Sequence, residues 1–218
     1  MYKDEGYLPE AMRNYLMTLG WSNGDDIEIR PWDDIVRLFS LADVNHSPAF
    51  FDIKKLDAFN GEYIRALSVP DFVRVCAPWT AHIEGFDETR FVEIAPHVQL
   101  RLVRLSEVGD AVDFLFRSDP VVDEDSWGKV MKADAARPIL QAAIAAYGDC
   151  AWDAETLKQG LEAIGEGLGL KLGKTQAPVR VAVTGRSVGL PLFESLEVLG
   201  RDESLRRMQV AAARLGAA

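Results

Sequence analysis

The sequence predicts an all-α fold. Apolar residues return at helical spacing along nearly the whole chain, residues that start and stop helices punctuate those runs, and period-2 alternation appears in only one place. With 218 residues and 48% hydrophobic composition, the chain has enough apolar surface for one large domain or two small ones with real cores. Multiple packed helices without a sheet is the class these observations imply.

The elements follow in order. Leu8, Met12, Tyr15, Leu16 and Leu19 share one helical face, with Pro9 suited to a first helical position and Gly20 ending the run. Asp33-Asp34 leads a short helix through Ile35, Leu38 and Phe39. Leu56 to Leu67 carries Phe59, Tyr63 and Ile64 at the same period, and Pro70 can start another helix through Phe72, Val73 and Cys76. Asp87-Glu88-Thr89 has N-cap character ahead of Phe91, Ile94, Val98, Leu102 and Leu105. Pro96 is expected to kink that run or divide it in two, because it lacks an N–H and crowds the preceding turn. Val108 to Phe116 is apolar enough to be buried. Asp134 opens Ala135 to Tyr147, Asp153 caps Thr156 to Ile164, and Phe193–Leu199 and Ser204–Leu215 close the chain.

Two stretches read ambiguously. Val179 to Thr184 alternates in a way that fits a short strand, while Pro178 before it fits a helix first turn. Residues 117–132 read as a loop over Asp119-Pro120 and Asp123–Ser126, then a short helix from Trp127.

Composition narrows the setting. Cys76 and Cys150 lie far apart on apolar stretches with no C-x-x-C, which predicts buried free thiols. No charged-then-apolar leader stands at Met1, and no apolar run approaches the ~20 residues that span a bilayer. A cytoplasmic protein with no membrane partner is the expectation. The formal net charge of -10, from 24 Lys+Arg against 34 Asp+Glu, works against a polyanionic partner. The distribution is uneven: Gly167 to Leu192 holds Lys171, Lys174, Arg180 and Arg186 and no acidic residue, whereas Met1 to Asp57 is strongly acidic. A local basic face suffices to bind one side of a folded RNA, and a solvated basic stretch is the plain alternative.

Nothing in the sequence assembles an active site. His46, His82 and His97 are isolated, without the i, i+4 spacing that sets two imidazoles on one helix face. Gly165, Gly167, Gly169 and Gly173 lead into Lys174-Thr175, but a phosphate-cradling loop needs glycine where Leu168 stands. A helix C-cap and turn explains those glycines. Asp25-Asp26 and Asp123-Glu124-Asp125 sit where caps and turns would put them. The chain is expected to be catalytically inert, with no metal and no cofactor of its own.

A resemblance supplies what spacing does not. Gly6-Tyr7-Leu8-Pro9-Glu10-Ala11, Asn14-Tyr15-Leu16 and Leu19-Gly20-Trp21-Ser22 are followed by Asp43 to Ala49, Phe51-Asp52, Lys55-Leu56 and Asn60-Gly61-Glu62-Tyr63-Ile64-Arg65. Near the far end stand Pro178-Val179-Arg180-Val181-Ala182-Val183-Thr184-Gly185, Leu192-Phe193-Glu194 and Leu196-Glu197-Val198-Leu199-Gly200. In this order these segments resemble the bacterial glutamyl-tRNA synthetase family, from the point where such enzymes leave their catalytic domain. The family's ATP-site signatures, of H-I-G-H and K-x-S-K type, are not in the sequence. The resemblance therefore implies the tRNA-binding, C-terminal half of a class I synthetase. It tips 179–184 to helix and implies the end of a stem-contact domain over 1–65. Anticodon-binding subdomains would follow over 66–116 and 117–218.

The same resemblance implies a partner and a set of contacts. The partner would be tRNA(Glu), with a catalytic domain of the same polypeptide beside it. ATP and magnesium would belong to that catalytic domain. Arg101, ahead of Phe114-Leu115-Phe116, falls where the family's arginine meets the third anticodon base and disfavours the glutamine anticodon. Arg180 falls on the arginine of the P-x-R-x-A-x-T-G segment. Gly189 and Leu192 follow at family spacing, although Gly189 replaces a hydroxyl residue and leaves only backbone to bond with. A further family arginine falls on Glu93, with Arg90 nearby to substitute. Each arginine has an ordinary alternative: Arg101 and Arg104 as surface charges near Glu107, Arg180 paired with a helix end. Asn60, Tyr63 and Arg65 would lie at the stem-contact junction or simply pack helix on helix. A stand-alone RNA-binding module and a protein-interaction scaffold are the other functions the sequence allows.

Overall fold

The computed structural model describes residues 1–45 and 48–216; His46 and Ser47, within the Asp43–Ala49 segment, lie outside it. Among the described residues there is no strand. The helices are α1 (Pro9–Thr18), α2 (Trp32–Leu38), α3 (Ile53–Arg65), α4 (Val69–Thr80), α5 (Glu88–Gln99), α6 (Val108–Val112), α7 (Glu124–Val130), α8 (Ala136–Tyr147), α9 (Ala154–Gly167), α10 (Leu172–Thr184), α11 (Leu192–Leu199) and α12 (Arg201–Gly216). Single 3-10 turns occupy Leu41–Asp43, Leu105–Glu107 and Asp113–Leu115. The chain divides into two compact units, one of residues 1–82 and 98–110 and one of residues 83–97 and 111–218.

In the first unit α1 packs along α3, with Tyr7, Tyr15, Leu56 and Phe59 as its buried cluster and Met12, Leu19 and Phe51 against them. Leu16 departs from the sequence expectation: it is 49% exposed, and Asn14 takes the inner position. Asn14 is buried because backbone claims both ends of its amide. Its Nδ2 donates to the Glu28 carbonyl at 2.8 Å and its Oδ1 accepts from the Arg30 amide at 3.0 Å. The Tyr63 hydroxyl lies 2.9 Å from that same Oδ1. Asn60, fully buried, accepts from the Leu8 amide at 2.7 Å and donates to the Val103 carbonyl at 2.6 Å. Asn60 and Tyr63 thus fasten this unit internally, and Arg65 pairs with Glu62. Arg104 clamps Asp57 through Nε–Oδ1 at 2.8 Å and Nη2–Oδ2 at 2.9 Å, and lies over the Tyr7 ring.

In the second unit α8 and α10 pack on each other and each on α9 and α12, and α11 closes against α9 and α12. Leu140, Ala143, Leu157, Leu161, Val179, Val183, Leu196 and Met208 are fully buried between them. Each large aliphatic group so placed contributes about 1.5–3 kcal/mol by leaving water. Helix ends are held by arginines. Arg201 donates to the Gly148 and Cys150 carbonyls beyond α8 and lies over the Trp152 ring. Arg90 donates to the Leu199 carbonyl at the end of α11 at 2.9 Å and to that of Leu115 at 3.1 Å. Arg207, 2% exposed, pairs with Glu203 at 2.6 Å and donates to the carbonyls of Phe114, Val183 and Arg117 at 2.8, 2.8 and 2.7 Å. A buried guanidinium is tolerable there because every side of it meets an acceptor.

Element ends shift where local bonding outranks composition. Pro96 does not divide the helix it lies in; α5 runs through it and ends three residues later, at Gln99, short of Leu102 and Leu105. Pro96 and Val92 both lie on the exposed side, so water can meet the carbonyl that the missing N–H leaves unpaired. The helix expected from Trp127 begins at Glu124, because Asp123 accepts from the Ser126 amide at 3.0 Å and caps it. Asp134 does not cap α8, whose N-cap is Ala135. The 179–184 segment is helical, and its helix begins earlier, at Leu172, so that Pro178 lies inside it and not in its first turn. Gly169, at φ +66°, turns the chain after α9, as the C-cap reading requires. Cys76 is buried and its thiol is pushed up to about 12 by that burial, whereas Cys150 is only half-buried.

Candidate functional site

The second unit presents a cross-braced loop at the end of α10. The helix stops at Gly185, whose φ of +77° only glycine adopts without strain; a Cβ there would also fall 2.1 Å from the Val121 carbonyl oxygen. The Gly185 carbonyl accepts from the Asp123 amide at 2.9 Å, joining the loop to the start of α7. Thr184 Oγ1 donates to the Arg180 carbonyl at 2.9 Å and accepts from the Arg186 amide at 3.2 Å. Ser187 and Ser126 hydroxyls meet at 2.9 Å. Arg186 grips Asp113 with both terminal nitrogens, Nη1–Oδ1 at 3.1 Å and Nη2–Oδ2 at 3.2 Å. Threonine, glycine and the two flanking polar residues therefore fix the loop before any ligand arrives.

Arg180 stands on α10 one turn before this loop. It is half-buried, and its Nη1 donates to the Leu190 carbonyl, closing the loop's far end. Gly189, next to that carbonyl, is exposed, takes no positive φ, and has open space where a side chain would begin. Leu192 opens α11 with a buried side chain, so its outward-facing chemistry is backbone. Arg180, Gly189 and Leu192 are thus brought together along residues 180–192 of the second unit. Arg101 belongs to the first unit. It is exposed, and among the described residues its guanidinium makes no side-chain hydrogen bond or ion pair. Arg104, its neighbour in sequence, is committed to Asp57, whose carboxyl is held below the ordinary range chiefly by that guanidinium.

The basic stretch resolves into different roles. Lys171 and Lys174 are exposed; Arg186 pairs with Asp113, a carboxylate it shares with Arg117. Arg90, weighed as a substitute for the arginine that Glu93 replaces, has its guanidinium on main-chain carbonyls, while Glu93 faces solvent. The Asp113–Arg186 and Ser126–Ser187 ties join residues too far apart for spacing to reveal. The one sequence signal for them was the unexplained polarity of Asp113 within an apolar run. Among the described residues no group of three or more His, Cys, Asp or Glu gathers to hold a metal ion, and no helix is long and apolar enough to cross a membrane.

Comparison with known proteins adds the wider context. Residues 71–212 match the family described as anticodon binding domain. The glutamate–tRNA ligase of Salinispora arenicola is 56% identical over 225 residues, covering 98% of this chain and 48% of that protein. The glutamate–tRNA ligase of Thermobifida fusca is 55% identical over 225 residues, covering 100% of this chain and 47% of its own length. The crystal structure of a glutamate tRNA ligase from Elizabethkingia meningosepticum, in complex with its amino acid, is similar with a TM-score of 0.85 at 26% identity. That likeness covers 98% of this chain and 43% of the other. The chain spans about half the length of the curated relatives it matches.

Proposed function

We propose a function that starts from family membership: the chain belongs to the anticodon-binding domain family, and matches the C-terminal part of glutamate–tRNA ligases. In our reading it binds the anticodon arm of tRNA(Glu), within a protein whose other half attaches glutamate to that tRNA. ATP and magnesium belong to that other half, the reaction to the whole, and the setting is cytoplasmic. The chain by itself attaches no amino acid. Anticodon contacts divide between the subdomains of residues 66–116 and 117–218, with residues 1–65 on the stem side.

One observation carries this reading. The P-x-R-x-A-x-T-G segment lies inside the matched residues, and there Arg180 donates to the Leu190 carbonyl, next to Gly189, on a loop braced by its own hydrogen bonds and ion pair. Anticodon bases are unstacked and offer their Watson–Crick edges, and an arginine held in place can give one edge two parallel hydrogen bonds. A loop that needs no ordering on binding loses less entropy when RNA arrives. Arg101, exposed and with no side-chain partner among the described residues, is assigned to the third anticodon base.

Titration of a tRNA(Glu) transcript, beside one whose third anticodon base is changed to the glutamine form, tests this. We expect the changed base to weaken binding, and Arg101→Ala to remove most of the difference. Arg180→Ala should weaken binding to both by about 1–3 kcal/mol at unchanged helix content. Equal affinity for both transcripts, together with unchanged affinity in both variants, would overturn the assignment.

A further inference from the structure

We infer that a groove at the start of α10 seats one unstacked RNA base, beside the contacts assigned to Arg180. This rests on the reading that the chain binds the anticodon arm. The groove has a volume of about 450 Å³ and runs between the end of α7, the start of α8 and the first turns of α10. Leu170, Ile139, Ala177 and Pro178 give it apolar walls, and Lys129 and Lys174 stand in its lining. Both lysines are exposed, and among the described residues neither ammonium lies within ion-pair distance of a carboxylate. Asp134 is the one acidic residue of the lining.

Charge and wall chemistry together select the occupant. An apolar groove with two exposed lysines in its lining fits a group whose faces are apolar and whose flanks are anionic, which describes a nucleotide. Every base has a π-face that packs on an apolar wall whatever its identity, and lysine meets phosphate as a point charge. The groove adjoins Arg180: Ala177, in its wall, precedes that arginine by three residues on α10, the spacing of neighbours on a helix surface. The groove thus adds affinity without reading sequence, and the reading stays with the arginines.

Gly173 is a second observation pointing the same way. It lines the groove, lies within α10, takes no positive φ, and has open space where a Cβ would stand. Backbone conformation therefore does not call for glycine, and helix propensity argues against it. What glycine does there is leave the groove open.

That property also gives a variant that folds. Gly173→Leu fills the groove from a position with room for it, and Lys129→Gln with Lys174→Gln removes the charges. Full-length variants are titrated with the anticodon stem-loop of tRNA(Glu) as a hairpin, with single abasic replacements around the loop. We expect Gly173→Leu to weaken binding by about fivefold or more, fivefold being the low end of one stacked base. One abasic position should weaken wild type likewise and leave Gly173→Leu unaffected, while exchanging that base for another is tolerated by both. The double lysine variant should flatten the slope of log affinity against log salt by about 1.4, at about 0.7 for each contact to single-stranded phosphate. Wild-type binding that Gly173→Leu and the lysine pair leave unchanged would overturn the groove and spare the anticodon reading. Failure of the folded wild type to bind the hairpin would overturn both.

Discussion

Arginine carries most of the chemistry in this chain, and its surroundings sort it into roles. Arg207 is 2% exposed and meets four acceptors; Arg101 is exposed, and among the described residues its guanidinium makes no hydrogen bond or ion pair. Removing Arg207 leaves Glu203 to Arg206 alone and takes the donor from the buried Phe114 and Val183 carbonyls, so Arg207→Met should lower unfolding free energy by about 2–5 kcal/mol in denaturant titration. Arg101→Ala should stay within about 0.5 kcal/mol of wild type in the same experiment, while losing discrimination at the third anticodon base. Asp57 and Glu203 add a pH dependence. Each is held below its ordinary value, Asp57 mainly by Arg104 and Glu203 mainly by Arg206. A lowered folded-state value means the pairing stabilises the fold above the unfolded carboxyl range and is lost as pH falls through the lowered one. Stability should therefore decline below about pH 4, and Asp57→Asn should flatten that decline in acid denaturation.

At the scale of elements, periodicity and caps revealed nearly every helix, because those signals are local. Pro9 and Asp153 stand as expected, and Phe91, Ile94, Val98, Leu102 and Leu105 are all buried, although the helix ends at Gln99, before the last two. What the sequence hid depended on bonds between distant segments. Leu16 turns outward because Asn14 is wanted inside by Glu28, Arg30 and Tyr63. The 179–184 segment alternates like a strand, yet it is buried from several sides by α8, α9 and α12, which removes the polar face that would have shown helical period. The candidate loop was legible as a motif and illegible as a mechanism: nothing in spacing joins Arg186 to Asp113 or Gly185 to Asp123. Gly185→Ala tests that bracing. Strain at φ +77° and the clash with Val121 should cost about 1–3 kcal/mol or more in thermal or chemical unfolding. Gly173→Ala, with neither problem, should be neutral or slightly stabilising.

For the whole molecule, a net charge of -10 and an RNA partner are compatible because binding is a property of one surface. Among the described residues of the second unit, Lys129, Lys132, Arg137, Lys171 and Lys174 are exposed and outside ion-pair distance of a carboxylate, and two of them, Lys129 and Lys174, line the groove at the start of α10. Acid residues elsewhere suppress indiscriminate binding to polyanions. Neither the fold class nor composition suggests the proposed partner; the proposal rests on the ordered motifs in the first 70 residues and at 178–201 and on the match of residues 71–212 to the anticodon binding domain family. The central claim is that the chain holds the anticodon arm, and the measurement that tests it most directly compares two RNA hairpins. One carries the anticodon stem-loop of tRNA(Glu), and the other is an acceptor-arm minihelix of equal length at the same ionic strength. The chain should bind the first and show only weak, salt-sensitive affinity for the second. Equal affinity for the two, or none for the anticodon hairpin by a folded chain, would contradict the account.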